Sequence, residues 1–191
     1  MGHILHTSTI SALRLYCEVD TSYLLHPDSK GHNTSYTISF YGAIGRFHNR
    51  SVKQIAVATS STHAEARAIF TLAKELNFLI ALCQELQIPL ELIATIMEGN
   101  SAVMNMANNV SGYTKKCKHF LMVLNYIKEQ ITLEQIEARK IYGKLINNAD
   151  MHTKSLRSPE FSNMVTRSKG NPPHYLPTPQ PFLYCWRKIC P

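Results

Sequence analysis

Four acidic residues are the candidates for chemistry in this sequence, because each lies near the end or the start of a predicted element: Asp20, Glu65, Glu98 and Asp150. If folding brought these carboxylates together, their charges would repel one another unless a cation lay between them. Carboxylate oxygens are hard ligands that suit Mg²⁺ or Mn²⁺, and two such ions roughly 3.5–4 Å apart can activate water for phosphodiester hydrolysis. A cluster of these acids would therefore indicate a two-ion site that cuts a phosphodiester bond.

Each acid also has a purely structural explanation. Asp20 could begin the turn that follows its strand, and Asp150 could be a first-turn acid favoured by a helix dipole. Thr62-His63-Ala64-Glu65 matches a capping box, in which Glu65 bonds back to the amide of Thr62. The sequence alone leaves both explanations open.

The elements that must position the acids are predicted from the spacing of apolar residues. Alternation, or a short apolar run, predicts strands over residues 13–20, 36–41, 55–59, 92–97 and 136–141. Apolar residues that recur at intervals of three and four positions predict a long helix from about Ile69 to Leu86, which Pro89 ends. Further helices are expected over residues 101–106 and 115–130 and within 145–165.

The order of these elements indicates an α/β fold. The first three strands follow one another and suggest an antiparallel meander, whereas a strand reached through a long helix most naturally lies parallel to one already in the sheet. We therefore expect a mixed five-stranded sheet with packed helices. Residues 13–167 are expected to form one domain, between an N-terminal segment, 1–12, and a proline-rich tail, 168–191, that is expected to be disordered.

The chain is basic, with 20 Lys and Arg residues against 13 Asp and Glu residues and a formal net charge of +7. This excess favours a polyanionic partner, because basic side chains that bind phosphates release counterions. Solvated surface charge explains the same residues equally well. Candidate phosphate contacts form two groups along the chain, one of Arg46, Arg50 and Lys53 and one of Lys115, Lys116, Lys118 and His119.

An intracellular location, cytoplasmic or nuclear, is expected from two features of the sequence. The five cysteines are an odd number and widely scattered, which fits a reducing compartment. No run approaches the roughly 20 apolar residues that cross a bilayer, and the N-terminus lacks the pattern of a secretory leader. We therefore expect no membrane contact, and the oligomeric state is left open.

From about residue 13 to residue 167, ordered segments resemble the ribonuclease H domain of copia-type (Pseudoviridae) retrotransposon polyproteins. The run 19–23, Val-Asp-Thr-Ser-Tyr, is similar to the family's acid, small residue, acid, aromatic sequence, with Ser22 in place of the second acid. The most specific match follows Gln54 and covers residues 58–65, Ala-Thr-Ser-Ser-Thr-His-Ala-Glu. By this resemblance, two catalytic acids of the family fall on Asp20 and Glu65.

The second half of the chain continues the resemblance. Glu98-Gly99 stands where the family has an aspartate followed by Asn-Gln-Ser-Ala. Lys118-His119 is similar to the family's Lys-His helix, and residues 149–154, Ala-Asp-Met-His-Thr-Lys, look like its closing motif. The remaining two acids of the family then correspond to Glu98 and Asp150.

The resemblance implies a ribonuclease H-like fold and a metal-dependent endonuclease that hydrolyses the RNA strand of RNA–DNA hybrids during reverse transcription. Two Mg²⁺ or Mn²⁺ ions would be held by the four acids. The hybrid would be the partner, beside a reverse transcriptase encoded elsewhere, and segment 1–12 would be a remnant of the linker on the polymerase side. The nucleic acid would contact Arg50, Lys53, Lys115, Lys116, Lys118 and His119.

A second hypothesis is an impaired or inactive remnant that keeps the fold and at most binds nucleic acid. It is motivated by departures from the family pattern at Ser22, His63, Glu98, Gly99 and Asn125. The change at Glu98 is the most serious, because one extra methylene displaces a ligand by roughly 1 Å, which can cost about a hundredfold in rate.

Overall fold

The computed structural model describes residues 13–22, 32–40, 46–55, 57–91, 93–108, 115–141, 147–153 and 157–168. For Lys115, Lys116, Arg167 and Ser168 it describes the backbone only. Segment 1–12 and residues 169–191 lie outside the described residues, so the proposed domain limits remain predictions. Ser168, which the sequence assigned to the tail, is the last residue of a helix.

The described residues form five strands and four α-helices. In chain order these are β1 Leu15–Ser22, β2 Asn33–Phe40, β3 Arg46–Lys53, α1 Ser61–Glu85, β4 Ala94–Glu98, α2 Ser101–Asn108, α3 Leu121–Thr132, β5 Ile136–Lys140 and α4 Ser158–Ser168. Two short 3₁₀ segments, Lys115–Phe120 and Asn148–His152, precede α3 and α4. None of the helices among these residues is long and apolar enough to cross a membrane.

The strands form one mixed sheet in the order β3-β2-β1-β4-β5. The first three strands are antiparallel neighbours, with Asp20 of β1 opposite Ser35 of β2. Helix α1 then crosses over, so that β4 pairs in parallel with β1 and β5 pairs in parallel with β4. This is the mixed five-stranded sheet with a three-strand meander that the sequence predicts.

The two faces of β1 have different partners, because successive side chains of a strand point to opposite faces. Cys17 and Val19 are fully buried in the core, together with Ile69 and Leu72 of α1. Glu18 and Asp20 carry the opposite, polar face, where residues 147–153 pack against β1 and β2. Residues 147–153 are hereafter called the closing segment.

Four predictions of element bounds were wrong, and the first concerns α1, which begins at Ser61 rather than at about Ile69. The third strand is Arg46–Lys53 rather than residues 55–59, where Ile55 and Val57 are exposed. Because β3 has only one neighbour in the sheet and exposes most of its side chains, it does not need an apolar run. The helix predicted over residues 115–130 begins as a 3₁₀ turn, and the one predicted within 145–165 consists of a 3₁₀ segment and α4.

Candidate active site

Asp20 and Glu98 lie at the same edge of the sheet. Strands β1 and β4 run parallel and pair as far as Glu18 with Met97. Asp20 follows in β1, and Glu98 is the last residue of β4, so both carboxylates emerge where the two strands end. Asp20 is buried, and its carboxylate accepts a short hydrogen bond from the hydroxyl of Thr153 in the closing segment.

Glu98 is buried, with 1% of its surface exposed. Its Oε1 accepts a hydrogen bond of 2.8 Å from the amide of Asn100, whereas its buried Oε2 has no hydrogen-bond partner among the described residues. Burial raises the pKa of Glu98 to about 8, with additional repulsion from the carboxylates of Asp20 and Asp150. Three of the four acids therefore lie within electrostatic reach of one another.

Asp150 is carried by the 3₁₀ turn of the closing segment, and the residues before it are fastened to the sheet by hydrogen bonds. Asn147 donates a hydrogen bond of 2.6 Å to the carbonyl of Val19 in β1. Ser35 of β2 donates one of 2.6 Å to the carbonyl of Ala149. Asp150 does stand in the first turn, as its structural explanation expects, but it also acts on the charge of Glu98.

Glu65 has a different position from the one that the capping-box interpretation predicts. The N-cap of α1 is Ser60, whose hydroxyl accepts a hydrogen bond of 3.1 Å from the amide of His63. Glu65 is thus the fifth residue of the helix, and the assignment of Thr62 as its N-cap is wrong. The membership of Glu65 in the acid cluster remains a prediction.

Gln54 fixes the start of α1, and with it Glu65, against the ends of the strands. Its side-chain amide donates hydrogen bonds of 3.0 Å to the carbonyl of Ala64 and 2.8 Å to the hydroxyl of Thr34. Its backbone amide donates one of 2.6 Å to the carbonyl of His32. Gln54 is buried, so both side-chain bonds are shielded from water.

Replacing Gln54 is expected to destabilise the protein measurably. Gln54→Ala removes both side-chain donors and leaves buried acceptors on Thr34 and Ala64, which costs about 1–3 kcal/mol. Urea unfolding measures the change. Gln84→Ala, at an exposed position of α1, is the matched control and should leave stability almost unchanged. Equal unfolding midpoints for the two variants would show that these bonds do not fasten the helix.

Across the described residues, no three His, Cys, Asp or Glu side chains are arranged to hold a metal ion. Asp20, Glu98 and Asp150 are therefore neighbours rather than a formed metal site. Their chemistry nevertheless fits a hard divalent cation, because Glu98 presents a buried carboxylate oxygen without a hydrogen bond beside two further carboxylates. A cation among them would offset both the burial of Glu98 and the mutual repulsion.

The basic candidates separate in the structure. Arg46 turns inward, with 11% of its side chain exposed, and pairs with Glu18 at 3.6 Å. Arg50 is half exposed and pairs with Glu75 at 3.2 Å, and Lys53 is exposed. Arg50 and Lys53 therefore stay candidates for phosphate contact, whereas Arg46 has a structural role.

The second basic group lies beside the start of α1. Lys118 and His119 are exposed, and the ring of His119 forms a short hydrogen bond with the hydroxyl of Thr59. The ring centroid of His119 lies 5.2 Å from the ring centroid of His63, and the ring of His63 stacks on that of Phe120. The side chains of the other two members of the group, Lys115 and Lys116, lie outside the described residues.

Sequence reasoning missed Glu18 and its partners. Alternation in the first strand places Glu18 on the same face as Asp20, and that was the available signal for a polar contact there. Its partner Asn148 is 130 positions away, and a pairing at that distance leaves no mark in local spacing.

No family model matches the sequence. Among solved structures, the N-terminal ribonuclease H domain of Rv2228c from Mycobacterium tuberculosis is similar with a TM-score of 0.54 and 9% identity, over 82% of this chain and 99% of that chain. LC11-RNase H1, isolated from compost by a metagenomic approach, is similar with a TM-score of 0.52 and 13% identity, over 72% of this chain and 90% of that chain. The same LC11 protein in complex with an RNA/DNA hybrid is similar with a TM-score of 0.50 and 12% identity, over 72% of this chain and 91% of that chain. This chain therefore has a ribonuclease H-like fold.

Proposed function

We propose that this protein is a metal-dependent ribonuclease H that hydrolyses the RNA strand of RNA–DNA hybrids. One observation carries the proposal: the buried Glu98 presents an oxygen without a hydrogen bond beside Asp20 and Asp150, where two parallel strands end. Buried acids with perturbed pKa values concentrate at functional sites, because a purely structural site has no need of their repulsion. The ribonuclease H-like fold supports the same conclusion.

In this mechanism Asp20, Glu98 and Asp150, together with Glu65, would hold one or two Mg²⁺ or Mn²⁺ ions. When bound, the ions supply Lewis-acid stabilisation and an activated water. The protein's own contribution is orientation. Thr153 fixes the Asp20 carboxylate, and the amide of Asn100 holds one oxygen of Glu98 and leaves the other without a hydrogen bond.

The proposed substrate is an RNA–DNA hybrid, because the similar LC11 protein was solved in complex with one. Exposed basic groups for its phosphates are supplied by Arg50 and Lys53 of β3 and by Lys118 and His119 before α3. Lys115 and Lys116 belong to the same proposal. An origin in a copia-type retrotransposon, an intracellular location and a separately encoded reverse transcriptase also remain parts of it.

The test is cleavage of an end-labelled RNA–DNA hybrid by the purified protein in Mg²⁺ or Mn²⁺. We expect RNA fragments from the hybrid, none in EDTA, and none from the same RNA as a single strand or duplex RNA. Asp20→Asn is the inactive variant, and Glu137→Gln, a carboxylate paired with Arg14 and Arg139, is the matched active control. Folded protein that binds the hybrid but leaves it intact in both metals would support the inactive remnant instead.

A further inference from the structure

Glu18 is a buried carboxylate for which the proposed reaction has no direct use. It is 5% exposed and lies two residues before Asp20, on the same face of β1. Its carboxylate accepts a hydrogen bond of 3.4 Å from the hydroxyl of Thr37 in β2 and pairs at 3.6 Å with the guanidinium of Arg46 in β3. A carboxylate buried at this position requires charged or hydrogen-bonding partners that offset its desolvation.

Both oxygens of Glu18 bind a single residue of the closing segment. The backbone amide of Asn148 donates to Oε2 at 3.0 Å, and the side-chain amide of the same residue donates to Oε1 at 2.8 Å. Two bonds from one residue to one carboxylate fix its orientation as well as its position. Glu18 therefore determines where Asn148 sits on the sheet.

The position of Asn148 determines that of Asp150. Asn147 is bonded to the carbonyl of Val19, and the carbonyl of Ala149 accepts from Ser35, so the three residues before Asp150 all bind β1 or β2. Within the turn, the amide of Asp150 donates to the carbonyl of Asn147 at 3.0 Å. A shift of Asn148 would thus be passed to the carboxylate two residues later.

We propose that Glu18 is a positioning residue that holds Asp150 beside Asp20 and Glu98 and thereby sets the affinity of this site for a divalent cation. The inference rests on the proposed function. Neighbouring carboxylates do not attract one another, so without the cation the closing segment depends on its hydrogen bonds to the sheet, of which the bond from Thr153 to Asp20 is one. Glu18 accepts two of these bonds, both from Asn148, the middle one of the three residues that precede Asp150.

Glu18→Gln tests the proposal with little change in shape. The new amide nitrogen would face a donor of Asn148, and Arg46 would lose its counter-charge. Loss of a residue that orients ligands typically costs about 10–100-fold in metal affinity. We therefore expect the half-saturating Mn²⁺ concentration for hybrid cleavage to rise by about 10–100-fold, with most of the maximal rate recovered at saturating Mn²⁺.

Three further measurements separate positioning from a general loss of stability. Mn²⁺ binding by calorimetry should weaken in parallel with the kinetic midpoint, and amide hydrogen exchange should accelerate in residues 147–153 but not in α3. Asn148→Ala keeps the backbone bond to Glu18 and should give a smaller shift of the same kind, which preserves the test if Glu18→Gln folds poorly. Glu137→Gln, which changes a carboxylate paired with Arg14 and Arg139 and not bonded to the closing segment in the described contacts, should leave the Mn²⁺ midpoint unchanged.

The outcomes distinguish this inference from the proposed function. Wild-type protein that cuts the hybrid with a Mn²⁺ midpoint unaltered in both Glu18→Gln and Asn148→Ala would overturn the inference alone. Wild-type protein that binds Mn²⁺ without cutting, and loses that binding in Glu18→Gln, would support the inference and reject the nuclease. Wild-type protein that binds no Mn²⁺ would reject both.

Discussion

Asp20→Asn is expected to lower the rate of hybrid cleavage by at least about a thousandfold, which corresponds to several kcal/mol of transition-state stabilisation. Asparagine has nearly the same shape, and its carbonyl oxygen can still accept the hydrogen bond from Thr153. The substitution therefore removes the negative charge while it keeps the contact that holds the side chain. A loss of rate can then be assigned to the missing ligand charge rather than to unfolding.

The measurement is single-turnover cleavage at saturating Mg²⁺ or Mn²⁺, with thermal unfolding of each variant as the check on folding. In metal-free buffer above about pH 8, where Glu98 is charged, Asp20→Asn should be at least as stable as the wild type, because it removes a charge that repels Glu98. Mn²⁺ should stabilise the wild type much more than the variant. A rate within tenfold of the wild type would mean that Asp20 does not hold a catalytic ion, and that the acid cluster must be assigned another role.

Glu98→Gln is expected to reduce the pH dependence of stability in the metal-free protein. The pKa of Glu98 is raised from 4.5 to about 8, so the folded protein binds this proton more tightly than the unfolded chain does. The resulting stabilisation is fully present below about pH 4.5 and is lost as the pH rises through about 8. The wild type should therefore lose on the order of a few kcal/mol more than Glu98→Gln across this interval, whereas the raised pKa of the buried Glu18 acts in both proteins.

Urea unfolding in EDTA at intervals between pH 5 and pH 9 measures this difference. His63 and His152, whose pKa values burial lowers, also affect stability, but they are present in both proteins and cancel in the comparison. Glu98→Asp retains a charge at this position and should retain a fall in stability at high pH. Parallel curves for the wild type and Glu98→Gln would show that Glu98 does not titrate in this range.

The sequence predicted those elements whose burial follows a simple period. Leu72 and Leu76 recur on the buried face of α1, and Cys17 and Val19 alternate along β1, so both elements could be located from spacing. Strand β3 could not, because an edge strand buries few side chains and its pattern is dominated by polar residues. The strand was predicted over residues 55–59 because Ile55 and Val57 are apolar, but both side chains are exposed.

The candidate site was only partly predictable, for reasons that differ among its residues. Asp20, Glu98 and Asp150 were identified by the order of motifs, and the structure places them as electrostatic neighbours. The cap of α1 was assigned to Thr62 instead of Ser60 because consecutive Ser and Thr residues offer several equivalent registers. The bond between Glu18 and Asn148 depends on the tertiary structure alone, and no local rule would have found it.

The anchoring of the closing segment also has a consequence for the order of folding. Its contacts with β1 join residues about 130 positions apart, and closing such a loop costs conformational entropy before these contacts form. The sheet must already exist before Asn147 and Asn148 have partners. A nascent chain that has emerged only as far as residue 146 contains Asp20 and Glu98 but not the turn that completes the acid cluster. The proposed cleavage can therefore begin only after almost the whole domain has been synthesised and folded.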